Sequence, residues 1–141
     1  MLAAGEGAMK SARAILQRGG AVAMMIDQVP PTGRGAVRTE FLGRVALVDR
    51  GPATLAARER APLLVAACRR EPGGDHILHV LGVVDPPARP GREWIDAATI
   101  AATRALDGFV LTYPSQWLWM HRRWRAPRVA PRARASMLAV P

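Results

Sequence analysis

The sequence lacks several features that commonly mark a function. Its 141 residues contain one cysteine, Cys68, which excludes an internal disulfide framework and fits a reducing compartment. The three histidines, His76, His79 and His121, form no cluster with the spacing of metal ligands. Neither a disulfide-stapled fold nor a metal site is therefore indicated. Half of the residues are hydrophobic, which is enough for a folded core.

No apolar run is long enough to cross a membrane. The longest uncharged apolar stretches, residues 19–26 and 61–68, have eight residues each, whereas a spanning helix needs about 20. The first ten residues have neither the charged start nor the apolar core of a signal peptide. We therefore expect no transmembrane segment and no secretory leader in this sequence.

Lysine is nearly absent, and acidic residues are absent from the last part of the chain. Lys10 is the one lysine, and the other 19 basic residues are arginines. Asp107 is the last acidic residue, and the 34 residues after it carry six arginines. Most of the formal net charge of +9 therefore lies there. Such a basic segment indicates an anionic partner, such as a membrane surface, a phosphate-bearing lipid or nucleic acid.

Hydrophobic periodicity predicts an α/β fold with a mixed sheet flanked by helices. Apolar residues at helical spacing, bounded by glycine or proline, predict helices at residues 7–18, 51–60, 93–111 and 115–125. Short apolar runs predict strands at 21–26, 36–42, 63–68 and 76–84, the last two joined as a hairpin. Residues 21–26 are uniformly apolar, so we expect a strand buried on both faces there, and Cys68 is expected in the core.

Two blocks of sequence resemble one known family. The first, residues 16–55, has Asp-Gln after an apolar run, then a glycine-containing loop, then Gly-Pro-Ala-Thr-Leu at 51–55. The second, residues 114–124, reads Pro-Ser-Gln-Trp-Leu-Trp-Met-His-Arg-Arg-Trp. Together they resemble the bacterial lipid A biosynthesis (lauroyl/myristoyl) acyltransferases, within the lysophospholipid acyltransferase-like superfamily. The resemblance extends over roughly residues 8–127, and the order and length of the blocks make it specific.

The resemblance implies a fold and a reaction, and the sequence departs from the family at one point. The implied fold is glycerolipid-acyltransferase-like, and the reaction depends on an N-terminal His-x-x-x-x-Asp/Glu motif whose histidine acts as general base. No histidine here has an acidic residue five positions later. We therefore expect residues 1–127 to be the C-terminal half of the acyltransferase domain, without catalytic residues. Residues 128–141 are predicted to be a disordered basic tail.

The resemblance places the first block near the acyl-transfer cleft and so suggests substrate-binding residues. Asp27 and Gln28 end the predicted strand 21–26, at the edge where α/β sheets carry their sites. The alternative is a carboxylate that caps the following loop. Arg34, between two glycines, is a candidate for binding a lipid phosphate, and a solvated loop arginine is the alternative. Arg38 is a candidate of the same type.

The second block combines tryptophans with arginines. On the predicted helix 115–125, the spacing puts Trp117, His121 and Trp124 on one face. Tryptophan beside arginine suits the headgroup zone of a membrane. The alternative is an aromatic face packed on the sheet, with solvated arginines. We predict that this block supplies the substrate-binding residues His121, Arg122 and Arg123 and the membrane-facing residues Trp117, Trp119, Trp124 and Arg125.

The functional prediction follows from the resemblance. The complete enzyme would transfer a fatty acyl group from an acyl thioester to a hydroxyl of a membrane (glyco)lipid. An acyl-carrier-protein or coenzyme A thioester would be co-substrate, with no bound cofactor. It would act peripherally on the cytoplasmic face of the bacterial inner membrane, with anionic lipid and an acyl carrier as partners.

We expect this chain alone to be inactive. If the other half of the domain carries strands of the same sheet, this half also exposes an apolar face and an open edge. The alternative function is a non-catalytic basic module that binds anionic membrane or a partner protein. Nucleic acid is not expected as a partner, because the sequence contains no recognisable nucleic-acid-binding motif.

Overall fold

A computed structural model describes residues 7–30, 33 and 35–125. Helices and hairpins alternate along the chain, which confirms the α/β class. Each hairpin is a separate two-stranded antiparallel sheet, so the described residues form no sheet of mixed direction. The elements are α1 (Ala8–Gln17), β1 (Ala36–Phe41), β2 (Arg44–Asp49), α2 (Gly51–Glu59), β3 (Leu63–Arg70), β4 (His76–Val84) and α3 (Arg92–Thr112), followed by one turn of 3-10 helix (Pro114–Gln116).

The first hairpin, β1–β2, closes through a two-residue turn. Leu42 and Gly43 both have positive φ, 49° and 71°, as in the type I′ turn that matches the twist of the flanking strands. Glycine adopts this conformation without strain. Leu42 is held there by a hydrogen bond from its backbone N–H to the Asp107 carboxylate of α3 (2.7 Å). The sequence prediction missed β2, although Gly43 between two short apolar runs is a hairpin signal.

The second hairpin, β3–β4, forms as predicted. Its register runs from Leu63 opposite Val84 to Arg70 opposite His76, with a bulge after Val65. Alternation along β3 buries Val65 and turns its neighbours outward. The outward positions pair across the strands and are all exposed and apolar, and we call them the outer face of the β3–β4 hairpin: Leu64 with Val83, Ala66 with Val80, and Cys68 with Leu78.

Helix α3 packs against both hairpins and joins them into one core. From α3, Leu106, Phe109 and Val110 pack with Phe41 of β1 and Ala46 of β2. Burial of each leucine, phenylalanine or valine side chain stabilises the fold by about 1.5–3 kcal/mol. The same buried face carries two threonines whose hydroxyls donate to backbone carbonyls one turn earlier, at 2.7 and 2.8 Å, so no polar group there is left unpaired: Thr99 and Thr103.

Hydrogen bonds between charged side chains attach α2 to α3 and α1 to α2. Arg50, which precedes α2, donates to both carboxylate oxygens of Asp96 on α3. This hydrogen bond is the main cause that lowers the pKa of Asp96. Arg13 and Gln17 of α1 donate to the Glu59 carboxylate of α2, and these bonds lower the pKa of Glu59. The helices are thereby fixed around α3.

Two predictions about the central part of the chain were wrong. Residues 21–26 form no strand, and Met25 is 76% exposed. A strand gains its hydrogen bonds from a neighbour, and no described strand pairs with this segment. Cys68 is exposed rather than in the core, because it belongs to the outward set of β3 and α3 covers the other side of the strand.

The predicted helix 115–125 was also wrong. The chain makes one 3-10 turn at Pro114–Gln116 and then a series of local turns. Among them, the Trp119 N–H donates to the Trp117 carbonyl and the His121 N–H to the Leu118 carbonyl, both at 3.0 Å. These contacts close turns too tight for an α-helix.

Within the ranges that the structure describes, no helix combines the length and the apolarity needed to cross a bilayer.

Candidate functional site

The C-terminal block folds back onto the first hairpin. The rings of Trp117 and Trp124 lie 5.2 and 6.1 Å from the ring of Phe41, centre to centre. The Trp124 indole N–H also donates to the Phe41 carbonyl (3.2 Å). The Arg44 guanidinium stacks on the Trp124 ring at 4.8 Å. Phe41 is fully buried and anchors a group of side chains that we call the Phe41 cluster: Phe41, Trp117, Arg123 and Trp124.

Arg123 is the buried charge of this cluster. It is 1% exposed, its Nη1 donates to the Leu47 carbonyl (2.8 Å), and its guanidinium carbon lies 5.4 Å from the centre of the Phe41 ring. Burial lowers the pKa of Arg123, while the charge of Asp27 acts in the opposite direction. A buried cation needs such compensation. Asp27 therefore stabilises the charged form of Arg123.

Asp27 and Gln28 lie at the end of the irregular segment 20–30. Asp27 is half-buried, and Gln28 is exposed. Ile26, next to Asp27, packs against the same core as Trp117 and Trp124, so the two blocks of the family resemblance, far apart in sequence, come together in space. The last two residues of this segment, Val29 and Pro30, are buried and fix the position of Asp27.

Four side chains of this region each bury a polar atom that has no hydrogen-bond partner among the described residues. Buried polar atoms are normally paired. Two of these atoms are donors, one is a carboxylate acceptor, and the imidazole nitrogen can be either. Each of these atoms is enclosed by protein, so they mark polar positions inside the fold and not a surface that a ligand touches. The atoms are Oδ1 of Asp27, Nε1 of Trp117, Nε2 of His121 and Nε of Arg123.

The remaining predicted residues of the second block lie nearer the surface. Arg122 and Arg125 are exposed, and Trp119 is 54% exposed. The rings of Trp117 and Trp124 pack inward on Phe41, in agreement with the alternative of an aromatic face packed on the sheet. Of the four residues predicted to face a membrane, Trp119 and Arg125 are therefore the exposed ones.

Arg38, a predicted substrate-binding residue, is not part of the Phe41 cluster. Arg38 is exposed on β1, opposite Leu47 in the register. Strand alternation turns it away from the face that carries Phe41. Arg34 lies outside the described residues. Of the predicted substrate-binding residues, Asp27 therefore acts electrostatically on the pKa of Arg123, and Arg38 lies on the other face of β1.

An open cleft of about 670 Å³ lies beside the block, at the end of β3. Arg69 lines it, stacks on the Tyr113 ring at 4.7 Å and pairs with Glu71. The Gln116 amide oxygen accepts the backbone N–H of Arg70 (3.0 Å) and so ties the block to β3. The sequence prediction did not single out these residues; the signal available was a pair of arginines at the end of a strand.

Metal binding receives no support from the described part of the chain, where no three His, Cys, Asp or Glu side chains are arranged to hold an ion.

Comparison with known proteins bears on this arrangement. Residues 1–126 match the family profile described as bacterial lipid A biosynthesis acyltransferase. The matched range contains α1 to α3, both sequence blocks and the whole Phe41 cluster. A search of curated proteins gave no match.

Proposed function

Because the chain belongs to the bacterial lipid A biosynthesis acyltransferase family, we propose that it takes part in acyl transfer to a membrane lipid. The substrates are a fatty acyl thioester and a lipid that carries a free hydroxyl. The observation that carries the proposal is the packing of Ile26 from the first family block and Trp117 and Trp124 from the second against the same core.

The chemistry defines what this chain contributes. The lipid hydroxyl oxygen attacks the thioester carbonyl carbon, the hydroxyl proton passes to a base, and the thiolate leaves as the new ester forms. Arg122 is exposed on the block and would bind a lipid phosphate, and the half-buried His121 next to it would position this arginine. Arg123 is buried, and its hydrogen bond to the Leu47 carbonyl fixes the loop on which these residues lie.

The general base must come from outside this sequence. No histidine here is followed five positions later by an acidic residue. His121 is the histidine of the block, and its imidazole Nε2 is buried. A buried nitrogen suits a positioning role better than proton exchange with a substrate. We therefore propose that the chain alone does not catalyse transfer and supplies the acceptor side of the cleft.

The donor and the place of action complete the proposal. An acyl-carrier-protein or coenzyme A thioester presents the acyl group, and the lipid acceptor is reached from the cytoplasmic face of the inner membrane. The net charge of +9 supports an anionic, phosphate-bearing acceptor.

A reconstitution experiment tests this function. The purified chain is mixed with a lauroyl-carrier-protein thioester and a bis-phosphorylated glucosamine-disaccharide lipid in detergent. The N-terminal half of an active family member, with the His-x-x-x-x-Asp/Glu motif, is then added. We expect no transfer by the chain alone, and transfer after addition of the second half.

Two variants sharpen the reconstitution. Asp27→Asn is expected to lower the restored transfer about tenfold, since it leaves Arg123 without its counter-charge. Arg38→Ala, on the far side of β1, is the matched control and should have little effect. Acyl transfer by the chain alone would show that the predicted inactivity of the chain is wrong. Binding of the lipid without transfer in any mixture would instead favour a non-catalytic module.

A further inference from the structure

Three successive apolar side chains project from the second block. Leu118 is 62% exposed, Trp119 54% and Met120 87%. We propose that these three residues, the Leu118–Met120 tip, penetrate the acyl region of an anionic bilayer. The inference rests on the proposed function, because it names the surface by which the chain reaches a membrane lipid. Contiguous exposed apolar side chains of this kind mark a binding surface.

Three polar groups of the tip, including the indole N–H, are already hydrogen-bonded within the protein. The Trp119 indole N–H donates to the Pro114 carbonyl (2.7 Å). The Trp119 backbone N–H donates to Trp117, and the Leu118 carbonyl accepts from His121, both at 3.0 Å. An unpaired polar group is costly in hydrocarbon. The tip can therefore leave water with these hydrogen bonds intact, whereas an indole with a free N–H would stay at the headgroup level.

The tip is held rigidly from both sides. Trp117 before it and Trp124 after it pack on Phe41. Between them, Arg123 is buried and donates to the Leu47 carbonyl. These contacts fix the loop before any lipid arrives, so insertion does not have to pay for ordering the chain. This explains why two tryptophans of the block face inward while the third is exposed.

The charge around the tip selects the kind of surface. Arg122 and Arg125 follow it and are exposed, and Arg44 lies against Trp124. The sequence has no acidic residue after Asp107. Arginines beside an inserted apolar loop contact lipid phosphates and favour anionic over neutral headgroups. The combination fits a bilayer better than an apolar protein groove, which would have to bury the same charges.

Vesicle binding tests the proposal. The full chain is sedimented with phosphatidylglycerol-containing vesicles and with pure phosphatidylcholine vesicles. We expect binding to the anionic vesicles, and Met120→Asp should weaken it about tenfold or more, because a carboxylate in the acyl region is unfavourable. Leu78→Asp is the matched control: Leu78 is 66% exposed, but on the outer face of the β3–β4 hairpin. It should leave binding within about twofold.

Tryptophan fluorescence locates the inserted residue. Lipids with brominated acyl chains are expected to quench the wild-type protein, and Trp119→Phe should remove most of the quenching. Trp94→Phe, at the start of α3, should retain it. Far-ultraviolet circular dichroism confirms that each variant keeps its fold. Equal binding to both vesicle types, loss of binding in Leu78→Asp but not in Met120→Asp, or unchanged quenching in Trp119→Phe would overturn the proposal.

The result is separable from the reconstituted reaction, which uses acceptor dispersed in detergent. If vesicle insertion fails while acyl transfer in detergent is restored, the proposed insertion of the tip is wrong and the proposed function stands. If the tip inserts but no mixture transfers the acyl group, the function is wrong and the membrane surface stands.

Discussion

The outer face of the β3–β4 hairpin predicts how the chain behaves in solution. Four of its side chains, Leu64, Leu78, Val80 and Val83, are 54%, 66%, 59% and 54% exposed. Since full burial of a valine or leucine is worth about 1.5–3 kcal/mol, covering the exposed parts would yield roughly 1–2 kcal/mol per side chain. Four together offer roughly 4–7 kcal/mol to any apolar surface that covers them. We therefore expect the wild-type chain to self-associate.

The perturbation is to replace these four residues with threonine. Threonine retains β-propensity, so the hairpin should survive, while the apolar attraction is largely removed. Sedimentation velocity and binding of the dye ANS measure the outcome. We expect an associating, dye-binding wild type and a variant that is mainly monomeric with weak dye binding. Leu111→Thr, at an exposed apolar position of α3 (69%) away from this face, is the control and should resemble the wild type.

Two results would refute the reasoning. The first is a wild-type chain that is a monomer, binds no dye and unfolds in one sharp transition, since a face of this size would then carry no attraction. The second is a Leu111→Thr variant that gains as much solubility as the fourfold variant, because the effect would then not belong to this face.

Three further predictions use the fourfold variant as a soluble background. Arg123→Ala should lower the free energy of unfolding by about 3 kcal/mol, because it removes a charged hydrogen bond to Leu47 and the packing of a fully buried side chain on Phe41. Arg123→Lys should recover part of this in urea titrations. The pKa of Asp96 is lowered in the folded state from its ordinary 3.8; its stabilisation is therefore complete above that value and is lost as pH falls through the lower folded pKa. In Asp96→Asn, the urea midpoint should depend less on pH below about 3.8 than it does in the background protein. An equal pH dependence of the midpoint in both proteins would contradict this prediction. Gln116→Ala should speed hydrogen exchange of the Arg70 amide, whose acceptor it removes, and unchanged exchange would show that this bond does not tie the block to β3.

Local patterns were enough to predict part of the fold. The second hairpin and α3 followed from a short turn between apolar runs and from helical periodicity over a long segment. Residues 21–26 have an equally strong apolar pattern, yet form no strand, because a strand depends on a partner that no local pattern supplies. Residues 115–125 have helical spacing, but Pro114 and the packing of two tryptophans on Phe41 favour turns.

In the candidate site, too, some residues could be predicted from the sequence and others could not. Asp27 and Arg123 were selected because they belong to the two family blocks, and the structure shows that residues beside each of them pack against the same core. Phe41 was not singled out, although it anchors the cluster. Its role depends on contacts with residues far along the chain, and a single phenylalanine in a short strand gives no signal of them.

Two exposed apolar surfaces among the described residues differ in a way that indicates different surroundings for them. The outer face of the β3–β4 hairpin is flat, and α3 covers the opposite side of the same two strands. A sheet with two apolar faces is typical of protein layers on both sides. The Leu118–Met120 tip is instead narrow, has its indole N–H paired to Pro114, and is followed by exposed arginines. Protein burial suits the first surface and lipid the second. An anionic bilayer should therefore compete for the tip while leaving the association through the hairpin face intact.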